Sequence, residues 1–235
     1  VVAQQLLSIN TALRTIEGQR GEREGAALQG LGPLLSTLAE AMPGVQALSV
    51  LDAEGRPRAS SAPRLAGLEE AHRAGFERVR EWSGGERLHV APPQSGHGGG
   101  QTLALLRGLR DPQGRLLGAV AALLDPEYFR LVLRTAQPSD ETWSVLVHEQ
   151  GRLFAMLPEA PEWLGRDLSA RPDSVLSRHL RAGSPSSLLL MPALISDDLR
   201  LSAARSVRPP GLETDQALVV AVGRTLPAIF ASWRT

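Results

Sequence analysis

Apolar runs of strand length, each closed by a short turn, occur twice along this chain in the same order. In the first cycle the run 45–51 ends in the turn 52–55 (DAEG), which predicts a β-hairpin because Gly tolerates the tight position of the turn. A helix, a loop and three more strands follow, and the turn 111–114 (DPQG) joins the last two. The second cycle begins near residue 143. This repeated order predicts two modules, each an antiparallel sheet with helices on one side.

An apolar stripe runs along the first predicted helix. It consists of Val2, Leu6, Ile9, Leu13 and Ile16, which are separated alternately by four and three positions. A repeat of about 3.5 residues is typical of a helix that lies along another helix. The stripe has two interpretations: it holds a second copy of the chain in a homodimer, or it is an ordinary amphipathic face that packs on its own domain.

These patterns divide the 235 residues into four segments. They are an N-terminal helical stalk (1–44), a first module (45–137), a second module (138–224) and an exit helix (225–235). No apolar run approaches the length of about 18 residues that crosses a membrane, and no basic segment precedes an apolar one as in a signal peptide. Because the chain opens and closes within helical patterns, we expect it to be a piece of a longer protein.

The charge and composition of the chain exclude several classes of function. Its 25 basic and 25 acidic residues give a net charge near zero, which argues against a nucleic-acid-binding surface. Every basic residue is Arg, which excludes a P-loop lysine and Schiff-base chemistry. The absence of Cys excludes a thiol nucleophile, an iron–sulfur cluster and a cysteine zinc site.

The remaining catalytic and metal-binding patterns are also missing from the sequence. The loop 97–100 (HGGG) is similar to an esterase oxyanion loop, but no Gly-x-Ser-x-Gly turn accompanies it. The five histidines show no pair four residues apart that would favour zinc binding. Neighbouring carboxylates such as Glu69 and Glu70 point apart and make no acid–base pair. We therefore expect no catalytic residue, no metal and no cofactor in this chain.

Four motifs in consecutive order resemble one known family. They are SVLDAEGRPRASS at 49–61, LLRGLRDPQGRLLGAVAALLDPEYFRLVL at 105–133, WSVLVHEQGRLFAMLP…LGRDLS at 143–169 and RLSAARSVRPPG…ALVVAVGRTLPAIFASWR at 200–234. Together they resemble the double Cache family, whose members are PAS-like extracytoplasmic sensor regions of bacterial transmembrane receptors. The likeness extends over nearly the whole chain and rests on the order and spacing of the motifs.

The resemblance implies an α+β fold in which a long N-terminal helix precedes two tandem PAS-like modules. It implies a place on the periplasmic side of the inner membrane, with membrane spans outside this segment at both ends. The first, membrane-distal module would bind a small polar or carboxylate ligand such as an organic acid. It would signal to a cytoplasmic output domain, a diguanylate cyclase or a histidine kinase, and the chain would form a homodimer through the N-terminal helix. The alternative is a ligand-free module for dimerisation or for binding a periplasmic protein.

The resemblance also indicates candidate ligand-binding residues in the first module. Arg73 and Phe76 match the first and last positions of the family's Arg-x-Tyr-Phe motif. Arg80 and Trp82 match a related motif, Arg-x-Trp-Tyr, at a second place in the sequence. Arg107 matches an Arg of the penultimate strand. An Arg supplies the planar pair of donors that a carboxylate prefers. The alternative for each Arg is a solvent-exposed position, and Phe76 is expected to face the core in either case.

One position departs from the pattern of the family members that bind amino acids. Those members place an amine-anchoring Asp five residues after the Gly of the last distal strand, and Gly118 puts Leu123 at that position. Leucine cannot hold an ammonium group, and Asp125 is predicted to cap the next helix. The resemblance therefore favours an organic acid over an amino acid as the ligand.

Overall fold

The computed structural model describes residues 1–21, 30–65, 68–84, 86–95, 101–135, 137, 139, 141–193 and 198–231. The loop 97–100 and the predicted end of the exit helix at 232–235 lie outside these residues. The chain divides into two compact units. The first unit comprises Val1–Tyr128 and Arg208–Gln216, and the second comprises Phe129–Val207 and Ala217–Thr235. Residues 208–216 thus belong to the first unit, although they lie between two strands of the second.

The described part of the first unit consists of three helices and one antiparallel sheet. The helices are α1 (Val2–Gly21), α2 (Gly32–Glu40) and α3 (Leu68–Glu81). The strands are β1 (Val45–Leu51), β2 (Pro57–Ser60), β3 (His89–Val90), β4 (Gln94–Ser95), β5 (Gln101–Arg110) and β6 (Leu116–Leu124). The order in the sheet is β2-β1-β6-β5-β3, and β4 also pairs with β5.

The alternation of side chains along β5 separates the two faces of this sheet. On one face, Ala104 and Leu106 pack in a core with Phe76 and Val79 of α3. On the other face, Arg107 reaches side chains of α1, and α1 itself contacts β5 and β6. The sheet of the first unit therefore has α3 on one face and α1 on the other.

The apolar stripe of α1 packs within the first unit. Leu6, Ile9, Leu13 and Ile16 are all buried within the chain itself, and their helix contacts β5 and β6. This burial removes the stripe from water without any second chain, so the hydrophobic driving force for dimerisation at the stripe is gone. The prediction that the stripe holds a second copy is wrong, and packing on its own domain is confirmed. The homodimer through the N-terminal helix itself stays a prediction.

Helix α3 lies very close to the sheet at Gly75. A Cβ added at this position would collide with the side chain of Leu106 on β5. A larger residue at position 75 would have to displace the buried side chain of Leu106 or move the helix away from the sheet, and either change disturbs the packing of the core. The absence of an aromatic side chain at Gly75, where the family motif has one, therefore accompanies a tightly closed interface between α3 and the sheet.

The described part of the second unit has the same organisation. The helices are α4 (Pro126–Thr135), within which the chain passes from the first unit to the second, α5 (Val175–Ala182) and α6 (Leu226–Ala231). The strands are β7 (Trp143–His148), β8 (Leu153–Leu157), β9 (Ser186–Pro192), β10 (Leu199–Val207) and β11 (Leu218–Thr225). They form one sheet in the order β8-β7-β11-β10-β9, with antiparallel neighbours.

The α+β prediction is confirmed, because a long N-terminal helix precedes two antiparallel sheets that carry helices. Two local details differ from the prediction. The loop predicted after the helix of the first module contains the short strand Gln94–Ser95, which is held by pairing with β5. The closing helix begins at Leu226, one residue after the predicted start of the exit helix at 225, because β11 continues to Thr225 in register with β10.

Candidate functional site

The five residues predicted as a ligand site in the first module do not come together at one place. Arg73 and Arg80 are exposed on α3, whereas Phe76 is buried in the core between α3 and the sheet. Trp82 and Arg107 line the same cavity, which has a volume of about 260 Å³. The structure therefore unites two of the five residues and separates the other three from them.

Arg107 is buried and already bound by side chains of its own unit. It is 4% exposed. Its Nη1 donates to Asn10 Oδ1 at 3.0 Å, its Nη2 to Glu86 Oε2 at 3.0 Å, and its Nε lies 3.4 Å from Glu17 Oε2. Two carboxylates supply the opposite charge, so the guanidinium is both neutralised and fixed in orientation. A ligand carboxylate at this Arg would have to displace contacts that the fold already provides.

Trp82 is engaged in a similar way. The guanidinium carbon of Arg87 lies 3.6 Å from the centroid of a Trp82 ring, which is a close cation–π contact. Arg87 is itself paired with Glu213. The aromatic face that could have stacked on a ligand is therefore covered by a cation of the same unit, and this small cavity offers little unused binding chemistry.

The second unit contains a larger cavity, of about 440 Å³, against the inner face of its sheet. Strand alternation places Val145 and Val147 of β7 and Val219 and Ala221 of β11 on this face. Across the strands, Ala221 pairs with Val145 and Val219 with Val147. These short side chains leave room above the sheet, and the resulting volume is within the range of about 300–1,000 Å³ that small-molecule sites occupy.

The opposite wall of this cavity comes from the chain that leads into α5. Leu168, Val175 and Leu176 line it. Helix α5 begins after Ser174, whose Oγ accepts a hydrogen bond from the backbone N–H of Ser177 at 3.1 Å. This N-cap determines where the helix starts and therefore where the apolar side chains of its first turn meet the cavity.

His179 holds α5 on the sheet. Its Nδ1 lies 2.8 Å from the Oγ of Ser187 on β9, and its Nε2 lies 2.9 Å from the Oγ of Ser206 on β10. Burial lowers the pKa of His179, so the ring is neutral at neutral pH and can donate at one nitrogen and accept at the other. The wall of the cavity is thus tied to two strands of the sheet.

Arg200 and Trp143 lie at the same cavity and close to each other. Both side chains line it, and the Arg200 guanidinium carbon is 5.3 Å from the centroid of the Trp143 ring. Arg200 is 7% exposed. It opens the inward-facing series of β10, in which Arg200, Ser202 and Ala204 are buried and the residues between them are more exposed.

The guanidinium of Arg200 makes no close hydrogen bond within the described ranges. Its Nη1 is 3.5 Å from the backbone oxygen of Glu141, and its Nη2 is 3.6 Å from Oδ2 of Asp198. Its Nε is buried, and among the described residues no acceptor bonds to it. A buried donor without an acceptor is costly. Arg200 is therefore a cation within an apolar cavity with unused capacity to bind an acceptor group.

Neither Arg200 nor Trp143 belongs to the set of residues predicted from the sequence. The signal that could have found Arg200 is the alternation of β10, where polar and small residues fall on every second position from 200 onward. Alternation identifies the residues that share a face. It does not say which face is covered by α5, and that depends on contacts between distant parts of the chain.

The part of the chain that the structure describes lacks two further kinds of feature. It holds no cluster of three or more His, Asp or Glu side chains suited to a metal ion. None of its helices combines the length and the apolar character needed to cross a bilayer.

No protein-family model and no curated protein sequence matches the chain. Solved structures match it over nearly its whole length. The extracellular domain of rpHK1S-Z16, described as a histidine kinase, has a TM-score of 0.75 at 21% identity and covers 99% of this chain and 91% of its own. The periplasmic sensory domain of the Campylobacter jejuni chemoreceptor Tlp1 has a TM-score of 0.71 at 11% identity, with coverages of 97% and 91%.

A third match is a ligand-bound receptor domain. The ligand-binding domain of the Pseudomonas aeruginosa amino acid chemoreceptor PctC, solved in complex with GABA, has a TM-score of 0.64 at 17% identity and covers 95% of this chain and 92% of its own. At these identities the matches establish the fold. The fold that the motif resemblance implied is therefore confirmed for both modules.

Proposed function

We propose that this chain, which has the double Cache fold of bacterial extracytoplasmic sensor domains, is the ligand-sensing region of a membrane receptor. The observation that carries the proposal is the 440 Å³ cavity of the second unit, whose described lining is largely apolar and includes one buried cation, Arg200, as is typical of a small-molecule site. The region would be non-catalytic and lie on the periplasmic side of the membrane. Its output domain would be a histidine kinase, a chemotaxis signalling domain or a diguanylate cyclase.

The matched structures support a small molecule as the signal. The PctC domain binds GABA in a chain of the same fold. A second match, the ligand-binding domain of the Pseudomonas fluorescens chemoreceptor CtaA, was solved with L-isoleucine. By analogy of fold alone, a ligand of similar size is expected here.

The strand that lines the cavity offers a route by which binding could be reported. β11 contributes Val219, Ala221 and Gly223 to the cavity. It runs without a break into α6, which begins at Leu226. A ligand that binds one position of β11 better than another would shift the population of α6 positions by that difference in affinity. The last helix would then transmit the change toward the output domain.

A screen with a cavity-filling variant tests the proposed function. Thermal unfolding of the chain is measured with organic acids, amino acids, amines and sugars, because a ligand at 100 times its dissociation constant stabilises by about 2.7 kcal/mol. The variant Ala221→Phe fills the cavity of the second unit and is expected to remove the shift. Ala203→Phe is the matched control, because Ala203 is exposed on the other face of the same sheet.

The variant Arg107→Gln examines the predicted site of the first module in the same screen. Because the guanidinium of Arg107 is occupied by Glu17, Glu86 and Asn10, we expect this change to leave the ligand-induced shift intact. Loss of the shift in Arg107→Gln with an unchanged shift in Ala221→Phe would move the site to the first unit. A chain that no compound stabilises would favour the alternative of a ligand-free interaction module.

A further inference from the structure

We infer that the cavity of the second unit takes a monocarboxylate with an apolar body and no ammonium group, bound through its carboxylate to Arg200. This inference rests on the proposed function and names the chemical class of its ligand. The residues that carry it are the buried guanidinium, the aromatic ring beside it, the apolar walls, and the absence of a buried carboxylate among the described residues that line the cavity.

The two arginines that are buried in the described parts of the chain differ in how far their donors are satisfied. Arg107 and Arg200 are 4% and 7% exposed. Arg107 donates to two acceptors at 3.0 Å, whereas the contacts of Arg200 within the described ranges begin at 3.5 Å and leave its Nε without an acceptor. A guanidinium has five N–H donors, and when it is buried these donors need acceptors from the protein or from a ligand. The unfilled hydrogen-bonding capacity of Arg200 therefore points to an acceptor that arrives with a ligand.

The charge around Arg200 favours an anion as that acceptor. Its nearest described carboxylate is Asp198, whose Oδ2 is 3.6 Å away and whose side chain is 58% exposed. A water-exposed carboxylate at that distance neutralises a buried cation incompletely. A ligand carboxylate can accept two parallel hydrogen bonds from the planar guanidinium, which is stronger than any bond from a neutral ligand oxygen.

The walls of the cavity determine the rest of the ligand. Trp143 lies beside the cation, and the described lining includes the apolar side chains of Val145, Leu153, Leu176 and Met191. A chain or ring of carbon atoms would bury its surface on these walls.

An ammonium group would find no buried carboxylate among the described residues that line this cavity. The one carboxylate among the described lining residues is Asp173. Its side chain is 83% exposed and pairs with Arg178 at 3.2 Å. Transfer of an ammonium group into the apolar interior is unfavourable without a closer acceptor. The cavity should therefore discriminate against amino acids, in contrast to the PctC domain, which was solved with GABA.

The test uses ligands that share a carbon skeleton. Binding of hexanoate, hexanamide, hexylamine and norleucine to the wild-type chain is measured by calorimetry, together with butanoate, octanoate and phenylacetate. We expect the carboxylates to bind and hexanamide, hexylamine and norleucine to bind at least about 10-fold more weakly than hexanoate. Equal affinities of hexanoate and hexanamide would overturn the role of charge, and these comparisons need no variant.

A pair of variants then assigns the charge to its residue. Arg200→Gln is expected to weaken hexanoate binding by about 10- to 100-fold, the range for loss of a charged hydrogen-bonding partner. Arg205→Gln removes an Arg from the exposed face of the same strand and should leave the affinity unchanged. Equal losses of hexanoate affinity in both variants would contradict a direct contact with Arg200. They would indicate that any positive charge on the strand attracts the ligand over a distance.

The outcomes separate this inference from the proposed function. If norleucine or hexylamine binds better than hexanoate and Ala221→Phe removes that binding, the sensor proposal stands and the carboxylate inference is wrong. If no carboxylate binds but a sugar does, the sensor proposal also stands and the carboxylate inference is also wrong. If no compound of any class binds, both are overturned.

Discussion

Replacing Asp215 with Asn is expected to lower the free energy of unfolding by about 2 kcal/mol at neutral pH. Asp215 belongs to the segment Arg208–Gln216 of the first unit, and its carboxylate is 8% exposed. It accepts hydrogen bonds from Arg78 Nε at 2.7 Å and from the backbone N–H of Val90 at 2.8 Å, and His89 Nδ1 lies 3.3 Å away. Asn keeps the shape and loses the charge that these donors share.

The pKa of Asp215 provides the size of the effect. Burial by itself would raise the pKa, but the contacts from His89, Val90 and Arg78 outweigh it and lower the pKa from 3.8 to about 2. Because the folded-state value is the lower one, this stabilisation is complete well above pH 3.8 and is lost as the pH falls through about 2. The decrease in unfolding free energy caused by Asp215→Asn should therefore be constant from neutral pH down to mildly acidic pH.

Urea denaturation followed by circular dichroism measures this prediction, and Glu213→Gln is the matched control. Glu213 lies in the same segment and pairs with Arg87, but its side chain is 60% exposed. Exposed ion pairs contribute about 0–1 kcal/mol, so the control should change little. Losses of equal size in the two variants would show that the Asp215 contacts are no stronger than an exposed pair.

Acidification from about pH 7 to pH 4 is expected to destabilise the chain by about 3 kcal/mol through His72 alone. His72 lies on α3 and is 1% exposed. Neither ring nitrogen has a hydrogen-bond partner among the described residues. Burial lowers its pKa from 6.5 to about 4, because the charged ring would lose its hydration. Between these values the unfolded chain takes up a proton that the folded chain does not, so stability falls as the pH falls.

The variant His72→Leu isolates this contribution. The difference in unfolding free energy between about pH 7 and pH 4 should shrink by about 3 kcal/mol in the variant. Near neutral pH the variant should be as stable as the wild type or more so, because two buried polar atoms without partners are removed. Contributions from His179 and from Asp215 are common to both proteins and cancel in the comparison.

Arg73→Gln is the control for the pH experiment. It changes the charge of α3 at the next position, but Arg73 is exposed and its replacement should leave the drop in stability between the two pH values unchanged. If His72→Leu shows the full wild-type drop, the buried ring is not the group responsible for the acid sensitivity. Hydrogen exchange of the α3 amides at both pH values would show whether the loss is local to this helix.

Features that depend on neighbouring residues could be predicted from the sequence. The turns at Asp52 and Asp111 form as expected, and each carboxylate accepts the backbone N–H four residues ahead at 2.8 Å. Asp125 accepts the N–H of Glu127 at 3.0 Å at the start of α4, as predicted for a helix cap. Such contacts span a few residues, so residue type and spacing specify them almost completely.

The candidate site could not be predicted in the same way. The sequence indicates that Arg107 and Arg200 lie on strands, but it does not show that Arg107 meets carboxylates from α1 and from the loop after α3. It also does not show that Arg200 meets apolar walls and a Trp ring. Whether the hydrogen-bond donors of a guanidinium are all paired depends on residues that lie far away in the chain.

By itself, the sequence determined the order of the main helices and strands, the turns and the α+β class, because periodicity and turn chemistry act over short distances. The tertiary structure alone decided that the α1 stripe packs on its own sheet, that segment 208–216 belongs to the first unit, and that the larger cavity lies in the second. Each of these depends on which faces meet when distant elements pack, and that choice is made by the burial of the whole apolar surface rather than by any local pattern.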